Sequence, residues 1–159
     1  MTGIDPAEIE EALLAHPAVA FAGAIGQPDA HAGELPCAFV ELVADAEVTE
    51  DDLMKHARVH IHERAAYPKH MTILPELPKT AVGKVFKPKL RMLAIQRVYN
   101  AALEAAGLPA RVVDVIDDRK RGLVAQVERN GAEEDAVCHC LGAFTRPWDW
   151  AADRKVAAE

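Results

Sequence analysis

The sequence predicts an α+β fold: a small mixed β-sheet with flanking helices, followed by a C-terminal β-hairpin. Three observations predict it. Helix starts recur at Asp5-Pro6, Thr49 and Pro88, each followed by apolar residues at helical spacing. Short runs of β-forming residues lie between those helices rather than in one block. Two further runs near the C-terminus flank a polar turn, the pattern of a hairpin.

The first helix is expected after Asp5, which can cap it. Pro6 suits the first helical position and Glu8 can complete a capping box. Ile9, Leu13 and Leu14 fall on one face, and Pro17 ends the helix because it cannot continue the hydrogen-bond ladder. Val19 to Ile25 reads as a strand, Gly26-Gln27-Pro28-Asp29 as a turn, and Gly33-Glu34 as loop. A second strand is expected from Cys37 to Val43, paired with the first.

Thr49, with an acid three residues on at Asp52, marks a second helix that carries Leu53, Ala57 and Ile61 inward and ends before Tyr67-Pro68. Met71 to Leu74 is a short strand. Pro75, Pro78 and Gly83 exclude a regular helix from the next stretch. Val85-Phe86-Lys87 can be extended, and Pro88 opens a third helix. Its period is set by Leu90, Leu93, Ala94, Arg97, Val98 and Ala101, and Gly107 is its expected C-cap. Arg111 to Ile116 and Leu123 to Val127 form the hairpin. A loop or weak helix and Trp148-Asp149-Trp150 follow. The tryptophans are expected to anchor the tail.

Composition narrows the function. Half of the 159 residues are apolar, enough for a real core, and no apolar run approaches a bilayer span. With no targeting segment in view, a cytoplasmic location is expected. Three cysteines, Cys37, Cys138 and Cys140, cannot form a fully paired disulfide set. The net charge is −7, yet Arg64 to Arg91 holds seven basic residues against one acid, Glu76. That excludes a general nucleic-acid binder but suits a small anion such as a nucleotide phosphate.

Two metal-like patterns are discounted, so no metal site is expected. His56 and His60 lie four apart on a helix, but no acid or thiol joins them and His62-Glu63 is not an HExxH motif, so a solvated helix face is expected. Cys138-His139-Cys140 is short of the four ligands of a structural zinc site, with Cys37 remote. Burial as small apolar side chains is expected.

The candidate for chemistry is Pro78-Lys79-Thr80-Ala81-Val82-Gly83-Lys84. A glycine beside a lysine lets the backbone approach a ligand closely, and the lysine extends a compact point charge from a loop. Such a charge can stabilise the negative charge that develops on phosphoryl oxygens.

The order of Ile4-Asp5-Pro6-Ala7-Glu8-Ile9-Glu10, His16-Pro17-Ala18-Val19, Gly26-Gln27-Pro28-Asp29, Gly33-Glu34 and Leu77 to Val85, closing with Lys87 and Leu90-Arg91, resembles the C-terminal domain of the adenylate-forming superfamily. That superfamily includes acyl-CoA synthetases, nonribosomal peptide adenylation domains and luciferases. The resemblance runs over residues 4–91 and implies a two-step ligase. A carboxylic acid and Mg2+·ATP give an acyl-adenylate and pyrophosphate, and coenzyme A then displaces AMP. Lys84 maps onto the catalytic lysine, with Thr80 and Gly83 as the supporting positions of its loop.

The resemblance implies a domain over 1–107 and a C-terminal extension over 108–159. The implied partner is a large N-terminal adenylation domain, and the chain is expected to start where the hinge to that domain ends. The chain alone is therefore expected to be inactive, as one part of an acid–thiol ligase of the kind used in fatty acid metabolism. The alternatives are the C-terminal part of a nonribosomal peptide adenylation domain and a non-catalytic interaction module with the same fold. No carrier segment follows, and the hairpin extension favours the CoA ligases. The acyl group is not readable, because its pocket belongs to the large domain.

Overall fold

The computed structural model describes residues 6–62 and 67–151. In chain order the elements are α1 (Pro6–Leu14), β1 (Val19–Asp29), β2 (Gly33–Leu42), α2 (Glu50–His60), β3 (Met71–Ile73), α3 (Lys87–Ala105), β4 (Arg111–Asp118), β5 (Gly122–Glu128), α4 (Glu134–Leu141) and β6 (Trp148–Trp150). They build two three-stranded sheets, β1-β2-β3 and β4-β5-β6. The fold is α+β with small mixed sheets and helices, as the sequence predicts. The chain divides into two compact units, residues 1–26 with 35–90 and residues 27–34 with 91–159.

β1 and β2 are neighbours joined by a tight loop at residues 30–32, which only antiparallel strands allow. β3 lies parallel to β2, with Ala38 opposite Met71 and Val40 opposite Ile73. Strand side chains alternate between faces. Ala22 and Ala24 of β1 and Ala38 and Val40 of β2 meet Ile9 and Leu13 of α1 and Leu53, Ala57 and Ile61 from α2 and its C-cap. Fully burying each of the larger side chains contributes about 1.5 to 3 kcal/mol. Gly23 points to the other face, where an added Cβ would come within 2.6 Å of Leu90 Cδ1 and 3.0 Å of Val85 Cγ1.

α2 starts as the sequence predicts. Thr49 Oγ1 accepts from the Asp52 amide at 3.0 Å and Asp52 Oδ2 accepts from the Thr49 amide at 3.1 Å. The Thr49 amide, followed by the Thr49 hydroxyl, holds the Asp52 carboxyl below its ordinary range. Asp5, the expected cap of α1, lies outside the described residues. Glu8 Oε1 accepts from the His62 amide at 3.2 Å.

Several expectations are corrected. Residues 26–29 are not a turn; β1 runs on to Asp29 and the turn falls at 30–32. Pro28 is tolerated because β1 is an edge strand of its sheet, where a missing amide can face away from the neighbouring strand. Asp29 Oδ2 closes the turn by accepting from the His31 and Ala32 amides at 3.0 and 2.8 Å. Gly33-Glu34, expected as loop, opens β2. Leu14 is 49% exposed rather than facing the core, and Ala101 of α3 is exposed while Ile95, Tyr99 and Leu103 turn inward.

Of the three histidines, His60 and His62 are exposed as expected, but His56 is not. His56 is half-buried and its Nε2 bonds the Ala12 carbonyl at 2.8 Å, tying α2 to the last turn of α1. His60 stacks on the His56 ring with centroids 4.1 Å apart, and His16 meets His56 edge-on at 4.9 Å. Burial pushes the His56 imidazole below its ordinary pKa.

In the second unit α3 ends in a Schellman motif. The Leu108 amide reaches the Leu103 carbonyl at 3.0 Å and the Gly107 amide the Glu104 carbonyl at 2.9 Å. β4 and β5 form the expected hairpin, antiparallel from Arg111 opposite Glu128 to Asp118 opposite Gly122. The residues expected to be a loop or weak helix contain α4, a helix of two turns. The Trp148-Asp149-Trp150 segment is a third strand, parallel to β5. Both indoles are half-buried, packed edge-to-face 4.8 Å apart against the core of Tyr99, Leu103, Val112 and Val127. Cys138 is exposed and Cys140 half-buried, so the pair does not share the expected burial.

Candidate functional site: a lysine on a glycine turn

The chain leaves β3 with the Leu74 amide on the Val40 carbonyl at 2.9 Å and enters a segment without helix. Leu77 is buried and anchors it. The Glu41 carboxylate of β2 secures the same point twice, accepting from the Leu77 amide at 2.9 Å and from Lys79 Nζ at 2.7 Å. The Lys79 ammonium, and then the Leu77 amide, hold the Glu41 carboxyl below the usual carboxylate range. Lys79 Nζ also lies 4.3 Å from the centroid of the Phe21 ring, a cation–π position.

Beyond Lys79 the backbone folds back on itself. Lys79 and Val85 form an isolated antiparallel bridge. Inside it the Thr80 amide donates to the Lys84 carbonyl at 2.7 Å and the Gly83 amide to the Thr80 carbonyl at 2.9 Å. Thr80 Oγ1 accepts from the Lys84 amide at 3.2 Å, and the Phe86 amide reaches the Pro78 carbonyl at 2.7 Å. Gly83 has φ +85°, the left-handed region that side chains with a Cβ occupy at a cost. No atom stands within 4 Å of where a Cβ would be, so the backbone angle, not a close neighbour, calls for glycine here.

This turn presents Lys84. The three lysines of the segment are treated differently. Lys79 is paired with Glu41, and Lys87 is paired with Glu10 at 2.7 Å, Glu10 being fixed in turn by the Ala24 amide at 2.9 Å. Lys84 is exposed and makes no side-chain hydrogen bond or ion pair among the described residues. It borders an open groove of about 400 Å3, lined also by Glu10, Leu14, Phe21, Val85 and Lys87. Val82, 81% exposed, and Phe86, 44% exposed, stand on the same segment. The structure thus gathers Thr80, Gly83 and Lys84 into one hydrogen-bonded turn.

Sequence reasoning missed Glu41 and Glu10, the partners that neutralise the flanking lysines. The one signal for Glu41 was an acid inside the apolar run Phe39-Val40-Glu41-Leu42-Val43. Among the described residues no group of three His, Cys, Asp or Glu side chains could hold a metal ion. No described helix is long and apolar enough to cross a membrane.

Comparison with known proteins defines the class. Residues 8–84, a stretch that ends on Lys84, match the AMP-binding enzyme C-terminal domain. The chain is 38% identical over 125 residues to marinolic acid–CoA ligase of Pseudoalteromonas sp., covering 78% of this chain and 19% of that one. It is also 38% identical over 113 residues to the peroxisomal trans-cinnamate:CoA ligase of Petunia hybrida, covering 69% and 20%. The crystal structure of the anthranilate CoA ligase AuaEII in complex with anthranoyl-AMP superposes with a TM-score of 0.54 at 32% identity, over 60% of this chain and 19% of that one.

The chain therefore belongs to the adenylate-forming superfamily and carries its C-terminal domain. It spans about a fifth of the length of the curated relatives it matches. The aligned stretch in the marinolic acid–CoA ligase is longer than 8–84, so it takes in residues beyond the family domain.

Proposed function

We propose that this chain is the lysine-bearing portion of an ATP-dependent acyl-CoA synthetase, with residues 1–107 as its adenylate-forming C-terminal domain and 108–159 as an extension. Lys84 is the catalytic residue, and Thr80 and Gly83 set its turn. The single observation that carries the reading is the ammonium of Lys84, unpaired among the described residues, on a hydrogen-bonded turn between two lysines that are each neutralised by an acid. A cation kept free on a defined backbone is preorganised for charge that another group brings to it.

In the first step a carboxylate oxygen of the acid attacks the α-phosphorus of ATP. The bond to the β-phosphate oxygen breaks and pyrophosphate leaves. Lys84 stabilises the negative charge that accumulates on the phosphoryl oxygens. In the second step the sulfur of coenzyme A attacks the acyl carbonyl carbon and AMP leaves. Lys84 has no part in that step. Mg2+ would be held chiefly by the phosphates of ATP. The large adenylation domain, the ATP site and the acid pocket lie outside this chain, which by itself forms no adenylate.

The test is Lys84→Ala in a full-length enzyme that contains this segment. ATP–pyrophosphate exchange should fall about 100- to 1,000-fold, while thioester formation from preformed acyl-adenylate persists. Equal loss of both steps would refute the assignment. Adenylate formation by the isolated chain would refute its dependence on a larger enzyme.

A further inference from the structure

The second unit holds a pocket that the proposed chemistry does not use. It measures about 500 Å3 and is lined by Gly33 and Glu34 of the β1–β2 hairpin, Arg121 of the β4–β5 turn, and Thr145, Arg146 and Pro147 before β6. Its two arginines differ in state. Arg121 Nη1 donates to Asp149 Oδ1 at 3.1 Å and Nη2 bonds Oδ2, so an acid already compensates its charge. Arg146, a half-buried residue, has no acidic partner among the described residues.

The backbone of Arg146 is nonetheless fixed. The Tyr99 hydroxyl, on a fully buried ring, donates to the Arg146 carbonyl at 2.8 Å. One residue on, the Pro147 carbonyl accepts from the Ala125 amide at 3.1 Å, locking the entry to β6. The side chain runs past the hairpin turn, with Nη1 only 3.6 Å from where a Cβ on Gly122 would sit. A guanidinium that no acid neutralises is available to an incoming anion, and its planar fork of donors matches phosphate oxygens. Thr145 adds a hydroxyl to the lining, and the turn that carries Arg121 also holds Arg119 and Lys120, opposed by Asp117 and Asp118. Glu34, exposed on the rim, is the one opposing charge on the lining.

We propose that this pocket binds a phosphate group, with Arg146 as its principal ligand and Thr145 and Arg121 as secondary ones. The proposal is independent of the role given to Lys84, which lies in the first unit.

The experiment is calorimetric titration of the intact chain at low ionic strength with inorganic phosphate and, separately, with adenosine 3′,5′-bisphosphate. Arg146→Gln should weaken binding about tenfold or more, the loss expected for one charge-assisted hydrogen bond. Glu34→Gln should tighten binding several-fold by removing like charge, and Lys55→Gln, on exposed α2, should leave it unchanged. Tighter binding of the bisphosphate identifies a nucleotide as the source, and equal affinity identifies free phosphate. Absence of binding by the wild-type chain overturns the proposal. So does equal affinity in Arg146→Gln, with circular dichroism verifying that this variant is folded.

Discussion

Two turns in this molecule are built alike and use their charge in opposite ways. At Thr80–Lys84 a threonine hydroxyl accepts the amide four residues on, with Gly83 at φ +85°. At Asp118–Gly122 an aspartate carboxylate accepts the amides of Lys120 and Arg121 at 2.8 and 3.0 Å, with Gly122 at φ +78°. Each scaffold fixes a basic residue next to its glycine. Arg121 is bound through both Nη atoms to Asp149 and ties β6 to the hairpin. The Lys84 side chain has no hydrogen-bond or ion-pair partner among the described residues. One cation serves the fold, and the other does not pair within the described residues.

The largest difference should appear in Lys84→Ala. In a full-length enzyme it should raise the barrier to adenylation by about 2.7 to 4 kcal/mol, yet thermal unfolding of this chain should move by less than about 0.5 kcal/mol. A matching loss of stability would show that Lys84 serves the fold as Arg121 does. Gly83→Val should cost about 1 to 2 kcal/mol, because a β-branched residue is strained at positive φ although space for it exists. Urea unfolding measures that cost. An unchanged midpoint would mean the turn relaxes and does not impose the lysine's direction.

Tyr99→Phe comes next. Losing the bond to the Arg146 carbonyl should cost about 1 kcal/mol near neutral pH. Burial pushes the Tyr99 hydroxyl from 10.0 up to about 12. A raised folded-state value means the stabilisation is complete below pH 10 and is lost as pH rises from about 10 to about 12. The phenylalanine variant should lack that part of the alkaline decline, read from unfolding curves across the interval. The smallest effect belongs to Arg121 and Asp149, whose side chains are 45% and 35% exposed. A double-mutant cycle with Arg121→Gln and Asp149→Asn should return a coupling of about 0.2 to 1 kcal/mol that shrinks with added salt.

What was readable in the sequence was local. The Thr49–Asp52 cap, the Gly107 helix stop, the hairpin and the Gly83-Lys84 turn each depend on a few adjacent residues, and those residues signal them. What was hidden depends on distant partners. His56 looked solvated because the Ala12 carbonyl it bonds is 44 positions away. Lys79 and Lys84 look equivalent in sequence until Glu41, 38 positions before Lys79, is folded beside one of them. Trp148-Asp149-Trp150 is too short to signal a strand by pattern, and pairing with β5 makes it one. Pro28 reads as a turn residue because the sequence does not reveal that its strand lies at a sheet edge. The candidate lysine was legible, but the pairing of its neighbours, which sets it apart, was not.

The crest that bears Lys84 is staked at both feet: Glu41 grips Leu77 and Lys79 on one side, and Glu10 grips Lys87 on the other. Between the stakes the Lys79–Val85 bridge leaves little slack. Loop flapping therefore cannot carry the ammonium any distance, and its stroke within this chain is the reach of one lysine side chain. A longer journey requires the whole sheet and its helices to travel as the handle of the tool.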